Sequence, residues 1–173
     1  YPNVEIIIVD NGSDSATRTF LEKIQSKKDP IQIIFNDENL GFAQAVNQGA
    51  KIANGDYLIF LNNDTVVSPG WMWRLQLHLF SNKKAGMVGP VSNGVSNEAH
   101  IPVDYHEANL LNINKFAANQ SKTHTGQTFE IDVLALFCSI ISKDLFIKVG
   151  GLDERYQYGM FEDDDLARKI QEQ

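Results

Sequence analysis

The stretch Asn54-Gly55-Asp56-Tyr57-Leu58-Ile59-Phe60-Leu61-Asn62-Asn63-Asp64 decides the fold. Its short apolar run, Tyr57 to Leu61, lies between an Asn-Gly turn signal and the breaker Ser68-Pro69, and reads as a buried strand. The run ends abruptly in polar residues. In a parallel α/β sheet, ligands sit just beyond the carboxyl ends of the strands, so Asn62, Asn63 and Asp64 stand where a ligand would be met. A single carboxylate among amides, all oxygen donors, suits a hard divalent cation carrying phosphates. An Asx-rich turn explains the same letters, because Asn and Asp favour turns for backbone reasons alone.

Working outward, Val4-Glu5-Ile6-Ile7-Ile8-Val9 reads as a first strand, followed by the turn cluster Asp10-Asn11-Gly12-Ser13-Asp14. The next segment predicts a helix burying Phe20, Leu21 and Ile24, with Ser13 or Asp14 as its N-cap. Ile31 to Phe35 is a second strand. Residues 41–53 place Phe42, Ala45, Val46, Gly49, Ala50 and Ala53 at helical spacing, with Gly55 suited to the C-terminal cap. Beyond the third strand, Ser68 is expected to cap a helix with Pro69 at its first position, burying some of Trp71, Met72, Leu75 and Leu79. Met87 to Val91 is a fourth strand. Strands and helices alternating in this way imply an α/β fold, with a mostly parallel sheet and right-handed crossovers. The rhythm breaks from Ser92 to Gln127, a polar, Asn-rich segment with a short helix expected near Glu107 to Phe116. A stretch of this length reads as a functional loop or lid. Glu130 to Ile141 is apolar and β-like, Lys143 to Val149 a short helix closed by Gly150-Gly151, and Leu166 and Ile170 open an amphipathic helix. The first strand has no lead-in and the last helix stops at Gln173, so the chain reads as a single domain fragment truncated at both ends.

The hydrophobic content of 43% fits a globular core rather than disorder, and 173 residues suffice for one domain. A net charge of −7 argues against a nucleic-acid groove. It leaves room for a nucleotide whose phosphates are matched by a bound cation. The single cysteine, Cys138, offers no internal disulfide and reads as a small core residue. No apolar stretch approaches membrane-spanning length. A cytoplasmic protein is expected, with any attachment to the inner face of a membrane left to parts outside this chain. The sequons at Asn11, Asn63 and Asn119 read as chance matches.

Four clusters carry the chemistry. Asp10, at a strand's carboxyl end, can accept a hydrogen bond from a ring N–H such as N3 of uracil or thymine, or can simply organise its turn. In Asn36-Asp37-Glu38-Asn39-Leu40-Gly41-Phe42, Gly41 permits close backbone approach and the following helix offers N–H groups to an anion. Asn39 would equally serve as a cap, and Asn47 as part of a solvated face. Asn62-Asn63-Asp64 is the third. The fourth, Glu162-Asp163-Asp164-Asp165, is either an acidic first turn favoured by the helix dipole or the source of a general base that takes an acceptor's proton, worth about 10²–10⁴ in rate.

In order along the chain, these motifs resemble the inverting glycosyltransferases of family 2, which have the GT-A fold. The matching residues are Val9-Asp10-Asn11-Gly12-Ser13-Asp14, Asn39-Leu40-Gly41-Phe42-Ala43 with Asn47, Leu61-Asn62-Asn63-Asp64, Gly150-Gly151-Leu152-Asp153-Glu154 and Phe161-Glu162-Asp163-Asp164-Asp165-Leu166. Val88-Gly89-Pro90-Val91-Ser92-Asn93 looks like the subgroup that makes bacterial surface polysaccharides, including rhamnosyltransferase-like members. The resemblance implies a Rossmann-like sheet flanked by helices, with residues 1–91 as the nucleotide-binding half and 92–173 as the acceptor and catalytic half. It implies that Asp10 reads a pyrimidine base and that Asn39, Gly41, Asn47, Asn62 and Asn63 shape the nucleotide pocket. Asp64 would hold Mg²⁺ or Mn²⁺ against the diphosphate of a UDP- or dTDP-sugar. Asp163 would be the base, assisted by Glu162, in transfer with inversion to a glycan or lipid-linked acceptor. Asn62 departs from the family's Asp-x-Asp pattern, which lowers the charge of the metal site. Two alternatives remain: a metal-dependent nucleotidyltransferase, and a non-catalytic domain of the same fold that binds a nucleotide sugar or acts as a scaffold.

Overall fold

The computed structural model describes residues 3–25, 31–106, 109–156 and 159–173. In chain order its elements are β1 (Ile6–Asn11), α1 (Ser15–Gln25), β2 (Ile31–Asn36), α2 (Phe42–Ile52), β3 (Tyr57–Leu61), α3 (Trp71–Ser81), β4 (Met87–Val88), α4 (Leu110–Thr123), β5 (Cys138–Ser142), α5 (Lys143–Lys148) and α6 (Glu162–Gln171). The chain divides into two compact units, Tyr1–Leu58 with Ser142–Gln173, and Ile59–Ile141. The helix start expected at Glu107, and Gln157-Tyr158, lie outside the described residues.

In the first unit, β1 and β2 pair in parallel, in register from Ile6 opposite Ile31 to Asn11 opposite Asn36. Asp14 caps α1, its Oδ1 accepting the Thr17 N–H at 2.8 Å. α1 covers β2 through buried Leu21 and through the Arg18 guanidinium, 5.0 Å from the centre of the Phe35 ring. Phe20, expected on the buried face, is instead 61% exposed, because Arg18 and Leu21 define a face roughly a third of a turn away from it. α2 lies close on β1. An added Cβ at Gly49 would stand 3.4 Å from a methyl of Val9 and 3.6 Å from one of Ile7, so the small residue sets the spacing.

α2 ends at Ala53, whose N–H bonds to the Gly49 carbonyl at 3.1 Å, rather than at the expected cap Gly55. Gly55 gives its N–H to the Glu5 carboxylate at 2.9 Å, and the same carboxylate receives both the backbone and side-chain N–H of Asn54. Burial works against the Glu5 charge, but the Asn54 and Gly55 donors and nearby Lys143 outweigh it and hold its pKa below the ordinary value.

In the second unit the core gathers Leu75, Cys138 and Ile140, with Ile59, Trp71 and Leu79 packed against them. Burial pushes the Cys138 thiol up to about 11, as suits a core residue. The sheet order is β3-β5-β4. β3 has the expected bounds but is less buried than expected: Leu58 is enclosed, whereas Tyr57 and Leu61 are 40% and 45% exposed. β4 keeps only Met87 and Val88 of the predicted strand and runs antiparallel to β5, while the parallel expectation holds for β1 and β2. Pro90, with no N–H to donate, suits the early end of β4.

Other boundaries also move. Ser68-Pro69-Gly70-Trp71 is a turn, with the Trp71 N–H on the Ser68 carbonyl at 3.2 Å and Gly70 at φ 78°, ψ 7°. Proline followed by a left-handed glycine is the type II pattern, so α3 starts at Trp71 and Ser68 does not cap it. Only the last part of Glu130 to Ile141 is a strand. The Val133 carbonyl is taken by the Asn97 side chain at 2.9 Å and the Phe137 carbonyl by the Asn62 N–H at 2.8 Å, in place of a regular ladder. α4 continues to Thr123, past the expected end at Phe116, with Asn109 as its N-cap.

Glu5→Gln replaces a charged acceptor with a neutral one and is expected to cost about 1 kcal/mol of unfolding free energy at neutral pH. Because the folded-state pKa is lowered, this contribution is present above the unfolded value and is lost as pH falls through the folded value. Denaturant titrations should show wild type and variant converging in acid; a gap independent of pH would contradict the assignment.

Candidate active site

Asn11 and Asn36, opposite each other at the carboxyl ends of β1 and β2, build one amide network. Asn11 Oδ1 accepts from Asn36 Nδ2 at 3.0 Å and from the Leu40 N–H at 3.0 Å. Its Nδ2 donates to Asn39 Oδ1 at 2.8 Å and to the Gly41 carbonyl at 3.1 Å. Asn36 and Gln48 exchange two further bonds, at 2.8 and 3.2 Å. Asn39 therefore shapes the loop from inside: its Oδ1 receives Asn11 and the Gly41 N–H at 2.9 Å, and it does not cap α2. Gly41, at φ 92°, is the N-cap residue. Gly12 completes the junction, since a Cβ there would fall 2.6 Å from the Glu38 carbonyl carbon and 2.7 Å from the Asn39 nitrogen. Against this frame Asp10 is 3% exposed; its Oδ1 accepts the Ser13 N–H at 3.2 Å, and its Oδ2 is buried without a partner. A buried acceptor left open is costly in a fold that pairs nearly all such atoms, and it is free to receive a ligand's N–H.

Asn47 is engaged within the protein. Its Nδ2 donates to the Leu152 carbonyl at 2.8 Å and to Glu154 Oε1 at 3.0 Å, while its Oδ1 accepts the Leu152 N–H at 3.1 Å. Gly151, at φ 67°, makes the approach possible, because a Cβ would stand 2.7 Å from Asn47 Oδ1. Asn47 thus fixes the 150–154 turn to α2. Lys169 Nζ reaches the Gly151 carbonyl at 3.4 Å, linking that turn to α6. Asp153 pairs with Arg155, whose side-chain hydrogen bonds hold the carboxyl well below its ordinary range.

The acidic run at the head of α6 divides into distinct roles. Asp165 is 8% exposed and paired with Lys169 at 2.6 Å and Arg168 at 3.4 Å. Asp164 is exposed. Glu162 is 8% exposed and its Oε2 has no partner. Asp163 is half-buried, with Oδ1 accepting the Asp164 N–H at 3.1 Å. Burial first, then the neighbouring carboxylates, raises the pKa of both Glu162 and Asp163 against the opposing backbone hydrogen bonds. Immediately before them Gly159, Met160 and Phe161 all have positive φ, at 73°, 70° and 75°. For the two non-glycine residues such strain costs on the order of 1–3 kcal/mol each.

In the second unit, Asn62 and Thr65 close a turn at the end of β3, with the Thr65 N–H on the Asn62 carbonyl at 3.2 Å. Asn63 and Asp64 are exposed at its tip, and Asn62 is half-buried. Among the described residues no three His, Cys, Asp or Glu side chains are grouped to hold a metal ion. An exposed carboxylate beside amide oxygens suits Mg²⁺ or Mn²⁺ whose remaining ligands are phosphate oxygens and water.

The sequence singled out Asp10, Asn39, Gly41, Glu162 and Asp163, and all lie in one unit with the network described. Asn11, Gln48 and the Asp165–Lys169 pair received no role from sequence alone. The available signal was the pair of asparagines ending two adjacent strands, Asn11 and Asn36.

These loops occur in a known setting. Residues 1–149 match the model of glycosyl transferase family 2, and the chain belongs to that family. An uncharacterized glycosyltransferase of Haemophilus influenzae is 28% identical over 175 residues, spanning 97% of this chain and 52% of the relative. A poly-beta-1,6-N-acetyl-D-glucosamine synthase of Staphylococcus aureus is 44% identical over 67 residues, 39% of this chain and 16% of the relative. The chain thus spans about half or less of the length of these relatives. Among solved structures, GalNAc-T7 with UDP, GalNAc and Mn²⁺ superposes with a TM-score of 0.69 at 17% identity, over 96% of this chain and 34% of that one. A mannosyltransferase from Pyrobaculum calidifontis with GDP-Man and Mn²⁺ gives 0.62 at 16% identity, over 96% and 42%. The fold is GT-A. The acidic run of α6 lies beyond the residues that the family model matches.

Raised carboxyl pKa values make the ionised forms of Glu162 and Asp163 unfavourable to the fold. Their stabilising effect exists below the unfolded pKa and is lost as pH rises through the folded one. Glu162→Gln and Asp163→Asn should therefore raise the melting temperature at neutral pH, by about 2–4 °C for each kcal/mol relieved. The gain should vanish in acid. A lowered melting temperature at neutral pH would contradict the reading.

Proposed function

We propose that this chain carries the donor-binding and catalytic residues of an inverting glycosyltransferase that moves a sugar from a pyrimidine nucleotide-diphosphate donor to an acceptor hydroxyl. The observation that carries the reading is Asp10, buried at the carboxyl end of β1 with Oδ2 open. A uracil or thymine N3–H donating there is a hydrogen bond to a charged acceptor, and it favours UDP- or dTDP-sugars over GDP-sugars. Asn39 and Gly41 form the loop beside it, and Asn47 acts through the 150–154 turn that it holds. Asn62 and Asn63 contribute amide oxygens and N–H groups to the nucleotide. Asp64, with diphosphate oxygens and water, would hold Mg²⁺ or Mn²⁺; when bound, the cation offsets charge on the departing diphosphate.

Asp163 takes the proton of the acceptor hydroxyl as that oxygen attacks the anomeric carbon from the face opposite the leaving group. Burial raises its pKa, which makes it a stronger base than an ordinary aspartate. Glu162 precedes it in the chain and would assist; burial and then the charges of Asp163 and Asp164 raise its own pKa. Polysaccharide synthesis, with a glycan or lipid-linked acceptor and a rhamnosyltransferase-like specificity, is the cellular role that the motifs support. No described helix is long and apolar enough to cross a membrane.

Calorimetry with UDP-, dTDP- and GDP-sugars, with and without Mn²⁺, tests the donor half of this proposal. Pyrimidine donors should bind more tightly, and Asp10→Asn should weaken them on the order of tenfold while leaving GDP-sugar binding unchanged. Equal affinity for all three donors, or no effect of Asp10→Asn, would contradict it.

A further inference from the structure

α3 has two apolar faces, and one of them packs into the core. Leu75 is buried in the core, with Trp71 and Leu79 packed beside it. Around the helix, Trp73, Leu77 and Phe80 follow i, i+4, i+7 spacing and form a second stripe, exposed by 59%, 49% and 52%. Large apolar side chains exposed in a row on one helix face mark an interaction surface.

The charge around this stripe identifies the partner. The chain as a whole carries −7, yet no acidic residue lies between Asp64 and Glu98. The same interval holds Arg74, Lys83 and Lys84, all exposed, with His78 on the helix between them. Arg74 sits at the edge of the apolar stripe, and Lys83 and Lys84 follow its C-terminal end. A short helix with tryptophan and phenylalanine on its outer face, flanked by cations and free of acids, is built to lie in the interface of an anionic bilayer. An isologous contact with a second copy would bring the same cations against one another. Such a contact is therefore disfavoured.

We infer that α3 docks in the plane of an anionic lipid surface through Trp73, Leu77 and Phe80, with Arg74, Lys83 and Lys84 on the headgroups. This inference is independent of the proposed donor chemistry and concerns where the protein works. Phosphate groups of anionic lipids supply the charge, and the apolar stripe distinguishes a bilayer from free phosphate.

The chain has two tryptophans, so Trp71→Phe leaves Trp73 as the sole tryptophan, read selectively by excitation at its red edge. The test uses the full chain with phosphatidylcholine vesicles, with and without phosphatidylglycerol, read by co-sedimentation of wild type and by Trp73 emission in the variant. Binding is expected only with phosphatidylglycerol, with a blue shift of Trp73, quenching by brominated acyl chains and weakening by salt. The double variant Lys83→Gln, Lys84→Gln should bind roughly 30-fold less tightly. Leu77→Glu, a change at an exposed site, should abolish binding without lowering the melting temperature. No sedimentation of wild type with phosphatidylglycerol vesicles would overturn the inference, as would equal binding to both vesicle types. Binding unaffected by Leu77→Glu, binding of inorganic phosphate alone, or a lipid-independent dimer that Leu77→Glu dissociates would likewise overturn it.

Discussion

The side chain of Asn11 is the constraint on which the loops at the carboxyl ends of β1 and β2 depend. One amide, at the end of β1, holds Asn36 at the end of β2, the Leu40 N–H, the Asn39 side chain and the Gly41 carbonyl. All of its hydrogen-bonding capacity is spent on one loop. Gly12 follows directly, because only the absence of a side chain lets the two loops run in contact. The result is a stiff floor beside Asp10. Precise placement of a buried carboxylate depends on groups that are themselves held in place.

The same unit shows how an acidic run can be tolerated. Asp165 is neutralised by Lys169 and Arg168, and Asp164 faces solvent. Of the four, Glu162 and Asp163 are the two whose pKa values burial raises. Left-handed backbone at Met160 and Phe161 stands immediately before them. A fold selected only for stability would relieve both costs, and their coexistence at one helix start is the pattern expected of a working site.

Much of this was legible in the sequence because the relevant signals are local. The bounds of β3, the cap at Asp14 and the turn residues at Gly12, Gly41 and Gly151 follow from short-range rules of turn and strand chemistry. The failures have equally definite causes. At Ser68-Pro69-Gly70 two local rules compete, and the left-handed glycine decides for a turn over a helix start. In residues 130–137 the apolar character is real, but the carbonyls of Val133 and Phe137 find Asn97 and Asn62, partners distant in sequence. The antiparallel direction of β4 is likewise set by pairing with a strand some fifty residues later, which periodicity does not encode. Within the site, asparagine letters announce turns and ligand contacts alike. Only the fold separates Asn11 and Asn47, engaged with the protein, from Asp10, with an oxygen left open.

The central claim is that Asp163 supplies the base for sugar transfer in a protein that contains this chain. The most direct test compares transfer and donor binding by that protein and its Asp163→Asn variant, using an accepted donor. The account predicts that transfer falls by about two orders of magnitude or more while donor affinity stays the same. Unchanged turnover in the variant would contradict it.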